Sequence, residues 1–132
     1  MRVVDTNVVV RILVDDDRAQ AERAAALLTE GEVLVLKTVL LESEWVLRSV
    51  YRLRRRRIAS ALRGLLGLPG VTVEDPSAVA RALDWLDQGM DLADALHLAS
   101  SPPGATFVTF DRALVRQAAL LDGTPAAQDL GR

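Results

Sequence analysis

Met1 to Arg11 reads M-R-V-V-D-T-N-V-V-V-R, and the fold turns on this stretch. Arg2-Val3-Val4 is a β-branched run that stops at Asp5, and too little chain precedes it to form anything else. A strand so placed reads as a central one, covered on both faces by later parts of the chain. Asp5-Thr6-Asn7 offers three good N-cap residues, and Val8, Val9, Ile12 and Leu13 continue as an apolar helical face. Asp5 is therefore expected at the carboxyl end of a central strand, the edge at which open α/β sheets bind ligands.

Outward from there, short aliphatic runs alternate with helical periodicity. Asp15-Asp16-Asp17 breaks the first helix, and Ala21, Ala24, Ala25 and Leu28 mark a second between Arg18 and Thr29. Val33 to Leu36 reads as a buried strand that stops at Lys37-Thr38. A long helix starts near Val39 and carries Trp45, Val46, Val50 and Tyr51. A further helix follows Arg54–Arg57, with Ile58, Leu62, Leu65 and Leu66 on one face. Gly67-Leu68-Pro69-Gly70 is a turn, and Val71-Thr72-Val73 a third strand. Pro76-Ser77 starts a helix that Gly89 ends, and Met90 to Ser100 is another. Ala105 to Thr109 is a fourth strand, Arg112 to Leu121 a last helix, and the tail after Gly123 carries no clear strand. The alternation implies a three-layer α/β/α sandwich around a central parallel sheet, in a single domain over residues 1–132. No repeat, low-complexity segment or linker interrupts it.

Composition narrows the function. Half of the 132 residues are apolar and the net charge is −2, which names no partner by itself. With no cysteine, disulfides and thiolate metal sites are excluded, and a single histidine, His97, rules out a multi-histidine zinc site. No apolar run approaches the ~20 residues of a membrane span. The first residues enter a strand at once, which leaves no room for a signal peptide, so the cytoplasm is the expected location.

The chemistry lies in the acids. Asp5 closes the first strand, and Glu42 lies about one turn into the helix after the second. Asp91 and Asp94 stand three apart at a helix start and share a face. Asp111 follows the fourth strand. On a parallel sheet these acids are expected to gather at one edge. Two unit charges ~4 Å apart repel by about 4 kcal/mol at an effective dielectric of ~20. A fold tolerates that when some acids are protonated or a cation sits among them. An all-oxygen set suits Mg²⁺ or Mn²⁺, which can activate water against a phosphodiester. Thr6, Asn7 and Thr109 are placed to support it by hydrogen bonds.

Four stretches together carry a family resemblance: V-V-D-T-N-V-V-V-R at 3–11, L-L-E-S-E-W-V-L-R at 40–48, D-L-A-D-A-L-H-L-A at 91–99 and F-V-T-F-D-R at 107–112. In this order and spacing the chain resembles PIN-domain ribonucleases, most closely the toxins of VapC-type toxin–antitoxin pairs. The resemblance implies that Asp5, Glu42, Asp94 and Asp111 are catalytic, metal-site acids and that Asp91 is an accessory one. It also implies Mg²⁺- or Mn²⁺-dependent RNA cleavage, a cognate antitoxin that meets the helices around Trp45 to Leu66, and a homodimer. Leu92 stands where the family often has an aromatic, the loop from Ser101 to Ala105 is compact, and a final strand is not evident.

Plainer readings stand beside these. Asp5, Asp91 and Asp111 also suit helix caps or turns, and Glu42 suits a helix start. Glu44 is expected on a solvated face, His97 as a packed residue, Trp45 and Trp85 in core or interface, and Asp15–Asp17 as a solvated cap. Arg48, Arg52, Arg54–Arg57 and Arg63 form a basic cluster suited to phosphates, to acidic antitoxin segments or to solvent. Two other functions remain open. A haloacid-dehalogenase-like phosphotransfer enzyme would use Asp5 as nucleophile, but normally has a second Asp where this chain has Asn7. A non-catalytic PIN-like binding module would not need the complete acid set.

Overall fold

The computed structural model describes residues 1–131. The chain divides into two compact units, Met1–Pro76 and Ser77–Arg132. The first holds β1 (Arg2–Val3), α1 (Thr6–Leu13), α2 (Arg18–Leu28), β2 (Val33–Val35), α3 (Lys37–Ser49), α4 (Arg55–Leu66) and β3 (Val71–Val73). Its three strands pair in parallel in the order β1-β2-β3. Parallel neighbours need long crossovers, which the helix pairs α1–α2 and α3–α4 supply. Within this sheet β2 is the middle strand, so the expectation of a central β1 does not hold here. Arg2 and Val3 are both exposed, because Arg2 reaches out to pair with Glu30 at 2.6 Å and only Val4 turns inward.

Local chemistry explains the helices. The Asp5 carboxylate accepts the Asn7 and Val8 N–H groups at 3.1 and 3.4 Å and so starts α1. Asp17 does the same for α2 through the Gln20 N–H at 3.1 Å. In α4, Ile58, Leu62 and Leu65 recur at i, i+4 and i+7 and are all buried. Each such burial stabilises by roughly 1.5–3 kcal/mol. The helix α3 begins at Lys37, two residues before the expected Val39, because the Glu74 carboxylate accepts the Lys37 N–H and Asp75 pairs with its ammonium, each at 2.9 Å. Gly70 has φ +82°, and a Cβ there would lie 3.1 Å from the Leu28 carbonyl oxygen, so this turn demands glycine.

The second unit carries α5 (Pro76–Asp87, entered from the last residue of the first), α6 (Leu92–Ala99), β4 (Thr106–Thr109), α7 (Arg112–Ala119) and β5 (Ala126–Asp129). The strands β4 and β5 pair in parallel from Thr106–Ala126 to Thr109–Asp129. The tail thus supplies a strand that its sequence does not announce. Ala-Ala-Gln-Asp has no β-branched residue, and the partner strand T-F-V-T imposes the conformation. The Leu130 N–H donates to the Thr109 carbonyl at 2.8 Å, and Arg112 pairs with Asp129 at 3.4 Å. Trp85 is buried, as are Val79, Leu83 and Leu86 of the same helix. Parallel pairing with intervening helices bears out the α/β class. Among the described residues no helix is long and apolar enough to cross a membrane.

Candidate active site

In the first unit the two expected acids stand on adjoining helices. Asp5 ends the β1 segment and caps α1 through Oδ1 alone; its Oδ2 accepts no hydrogen bond among the described residues. Glu42, exposed in the second turn of α3, accepts the Thr6 hydroxyl proton on Oε1. Thr6 is buried and directly follows Asp5, so one hydroxyl ties the Glu42 carboxylate to the start of α1. Thr6, expected to support the acids by hydrogen bonds, makes one to Glu42.

In the second unit, Asp91 caps α6 by accepting the Asp94 N–H on Oδ2 at 3.3 Å. Asp111 caps α7 by accepting the Leu114 N–H on Oδ1 at 3.0 Å, and the Thr109 hydroxyl oxygen accepts the Asp111 N–H at 3.0 Å. Among the described residues each of these caps leaves one carboxylate oxygen without a hydrogen bond, so capping and ligation are compatible in the same residue. Asp94 differs. It is half-buried in the first turn of α6, and its carboxylate accepts no hydrogen bond among the described residues. Its pKa is raised above the ordinary carboxylate value, first by burial and then by the negative charges of Asp91 and Asp111, with His97 acting in the opposite sense. Asp91 and Asp111 are thus each near enough to Asp94 to disfavour its charge.

A model of the PIN domain family matches residues 2–120, a span that runs through both units and includes all five acids. The chain belongs to the PIN domain family. Comparison with curated protein sequences gives no match. Membership supports, at a coarse level, a nuclease: a hydrolase acting on nucleic acid.

The donor chemistry agrees with such a group. Asp91, Asp94 and Asp111 offer only carboxylate oxygens, the ligand type of Mg²⁺ and Mn²⁺. Their repulsion on Asp94 is what a cation relieves. Among the described residues no three His, Cys, Asp or Glu side chains are gathered as a metal-holding set. A bound ion would have to draw the carboxylates in.

Several residues sit otherwise than expected. Glu44 is not solvated: it is 4% exposed and pairs with Arg48 at 2.8 Å, one turn along α3. The i,i+4 Glu–Arg spacing was a signal for that pair. Asp16 is more than a solvated cap. It accepts the Tyr51 hydroxyl at 2.6 Å and pairs with Arg11, and its pKa is lowered, first by the Tyr51 hydrogen bond and also by the Arg11 charge. His97 stacks on Phe107, with ring centroids 6.4 Å apart, yet is exposed rather than enclosed. Trp45 is 54% exposed, which removes it from the core, whereas Trp85 is buried. Phe110, next to Asp111, is 76% exposed and was not singled out by the sequence, where it reads as a strand end.

Proposed function

We propose that this PIN domain is a Mg²⁺- or Mn²⁺-dependent endoribonuclease, the toxin of a VapC-type toxin–antitoxin pair. Asp5, Glu42, Asp94 and Asp111 are its catalytic, metal-ligating acids, and Asp91 is an accessory acid. The observation that carries the reading is Asp94, a half-buried carboxylate with no hydrogen bond among the described residues, whose pKa is raised first by burial and then by two neighbouring acids. A structural acid is normally hydrogen-bonded or paired; one pressed by like charges is kept for a cation. When bound, the ion supplies a water of lowered pKa and neutralises charge on the scissile phosphate.

The chain's own residues have distinct tasks. Asp5 and Asp111 hold one oxygen on a helix N-terminus, which fixes the carboxylate plane, and keep the other for ligation. Thr6 orients Glu42. Asp91 stands beside Asp94 and, after burial, adds to the cost of its charge. The family match through both units supports the nuclease reading, and nothing favours phosphotransfer from Asp5, whose expected companion acid is Asn7.

The partners belong to the same reading. An antitoxin segment meets the surface of α3 and α4. A cleft of about 450 Å³ bordered by Leu13, Leu47, Tyr51 and Leu53, and the exposed Trp45 and Val50, support an apolar contact there. A homodimer would cover further apolar surface, and the cytoplasm is the proposed location. The test is cleavage of total cellular RNA with Mg²⁺, with Mn²⁺ and with a chelator, mapping the ends. Cutting at defined positions that the chelator stops supports the proposal; RNA left intact under all three conditions overturns it.

A further inference from the structure

Charge along this chain is strongly segregated. Residues 45–73 hold seven of the sixteen basic side chains and none of the eighteen acids. Nine basic residues against all eighteen acids leave the rest of the chain at −9. A nuclease of that charge repels its polyanionic substrate over most of its length, so affinity has to come from a local concentration of cations.

The basic residues elsewhere are largely engaged. Arg2 pairs with Glu30, Arg11 with Asp16, Arg18 with Asp15, Lys37 with Asp75, and Arg112 with Asp129. Within the segment, Arg48 pairs with Glu44. Arg52, Arg54, Arg55, Arg56 and Arg57 differ. All five are exposed, and among the described residues none has an ion pair. Arg52 sits at φ +57°, a left-handed conformation rare for a residue with a side chain, in the tight link between α3 and α4. Arg54 is the N-cap of α4 and gives it no side-chain cap, and Arg55–Arg57 fill its first turn, which has no acid. Cations at the positive end of a helix are unfavourable by a few tenths of a kcal/mol to about 1 kcal/mol each. Successive residues of the turn are about 100° apart. Arg55, Arg56 and Arg57 therefore leave the helix start in different directions, Arg57 bordering the cleft with Leu13 and Tyr51, while Arg52 and Arg54 precede the helix, and we call this set a crown. A crown suits a flexible chain of phosphates bending past it better than the single face of an acidic helix.

We infer that Arg52, Arg54, Arg55, Arg56 and Arg57 form a phosphate-binding crown that holds the backbone of single-stranded RNA. The inference rests on the ribonuclease reading, whose substrate it positions. The crown is sequence-blind: it adds affinity and salt dependence, not base choice.

The experiment measures binding of a fluorescent single-stranded RNA without divalent ions, by anisotropy at several salt concentrations. It compares the wild type with the fourfold variants R54Q/R55Q/R56Q/R57Q and R54K/R55K/R56K/R57K, and repeats the titration with poly-glutamate. Each lost phosphate contact on a single strand lowers the slope of log affinity against log salt by about 0.7, so the glutamine variant should lose about 2–3 in slope and at least about tenfold in affinity. The lysine variant should retain most of both, which separates charge from any change of fold. Melting curves should place the glutamine variant at or above the wild type, since repulsion at the helix start is relieved. Wild-type slope in the glutamine variant overturns the crown while leaving the nuclease proposal to its own cleavage test. Crown-dependent binding of poly-glutamate without binding of RNA also overturns it, in favour of an acidic protein partner.

Discussion

Glu42 in the first unit and Asp94 in the second both lie within the first two turns of a helix, yet their surroundings differ. Glu42 is exposed and receives the Thr6 hydroxyl; Asp94 is half-buried, receives nothing among the described residues, and faces the charges of Asp91 and Asp111. Water and a hydroxyl can carry the first charge. Little carries the second except a proton or a cation. The contrast teaches that a proposed ligand set need not be uniformly strained. Glu42 is a carboxylate positioned by a hydroxyl, and Asp94 is one whose charge is disfavoured by its surroundings.

The largest expected effect breaks activity. Asp94→Asn and Glu42→Gln should each lower RNA cleavage by orders of magnitude, since each removes a proposed ligand to the ion that activates water. What sharpens the comparison is the metal-free melting temperature near pH 7.5. Asp94→Asn should melt at or above the wild type because it removes a disfavoured charge, while Glu42→Gln should not gain. A clear loss of stability in Asp94→Asn would mean that the carboxylate is structural.

The pH dependence originates in Asp94. Its folded pKa lies above the unfolded value, so the folded state binds the proton more tightly. Its favourable contribution is fully present below the unfolded pKa of about 4 and is lost as pH rises through the raised folded value. Metal-free stability should therefore decline over that window, after allowance for other acids by comparison with Asp94→Asn. Mg²⁺ should remove much of the decline by binding only the folded form. Equal pH slopes for the two proteins would contradict the pressed state of Asp94.

Capping gives a smaller effect. Asp111→Ala should destabilise by about 1 kcal/mol, because the Leu114 N–H loses its acceptor, whereas Asp111→Asn keeps the cap. Chemical denaturation of both variants separates the cap from the ligand: the asparagine variant should be as stable as the wild type and still cleave poorly. Thr6→Val should cost a comparable roughly 0.5–1.5 kcal/mol of stability, for one hydrogen bond to an exposed carboxylate. Its cleavage should fall less than that of Glu42→Gln; a fall as large would make Thr6 a participant rather than a support.

The sequence made the helices and four of the five strands legible because each carries its own signal: Asp5 and Asp17 as caps, Ile58, Leu62 and Leu65 as a stripe, Val33–Val35 as an aliphatic run. Two features depend on partners distant in the chain and were not legible. The strand β5 has weak intrinsic preference and is shaped by pairing to β4. The edge position of β1 in its sheet depends on β2 taking the middle. At the candidate site, residue types and spacing picked out the acids, and the dual use of Asp91 and Asp111 as caps was foreseen as an alternative rather than as a combination. Glu44 was misplaced because spacing alone cannot tell which of two neighbouring acids is buried until Arg48 is seen to reach it.

The most direct test of the central claim is Mn²⁺ binding by the wild type, Asp5→Asn and Asp94→Asn, measured by calorimetry at pH 7.5. Changing even a group that supports a metal ligand commonly costs 10–100-fold in affinity, so losing a ligand should cost at least about tenfold. The predicted result is saturable binding by the wild type and a loss of that size in both variants, one from each unit. Wild-type affinity in either variant would contradict it.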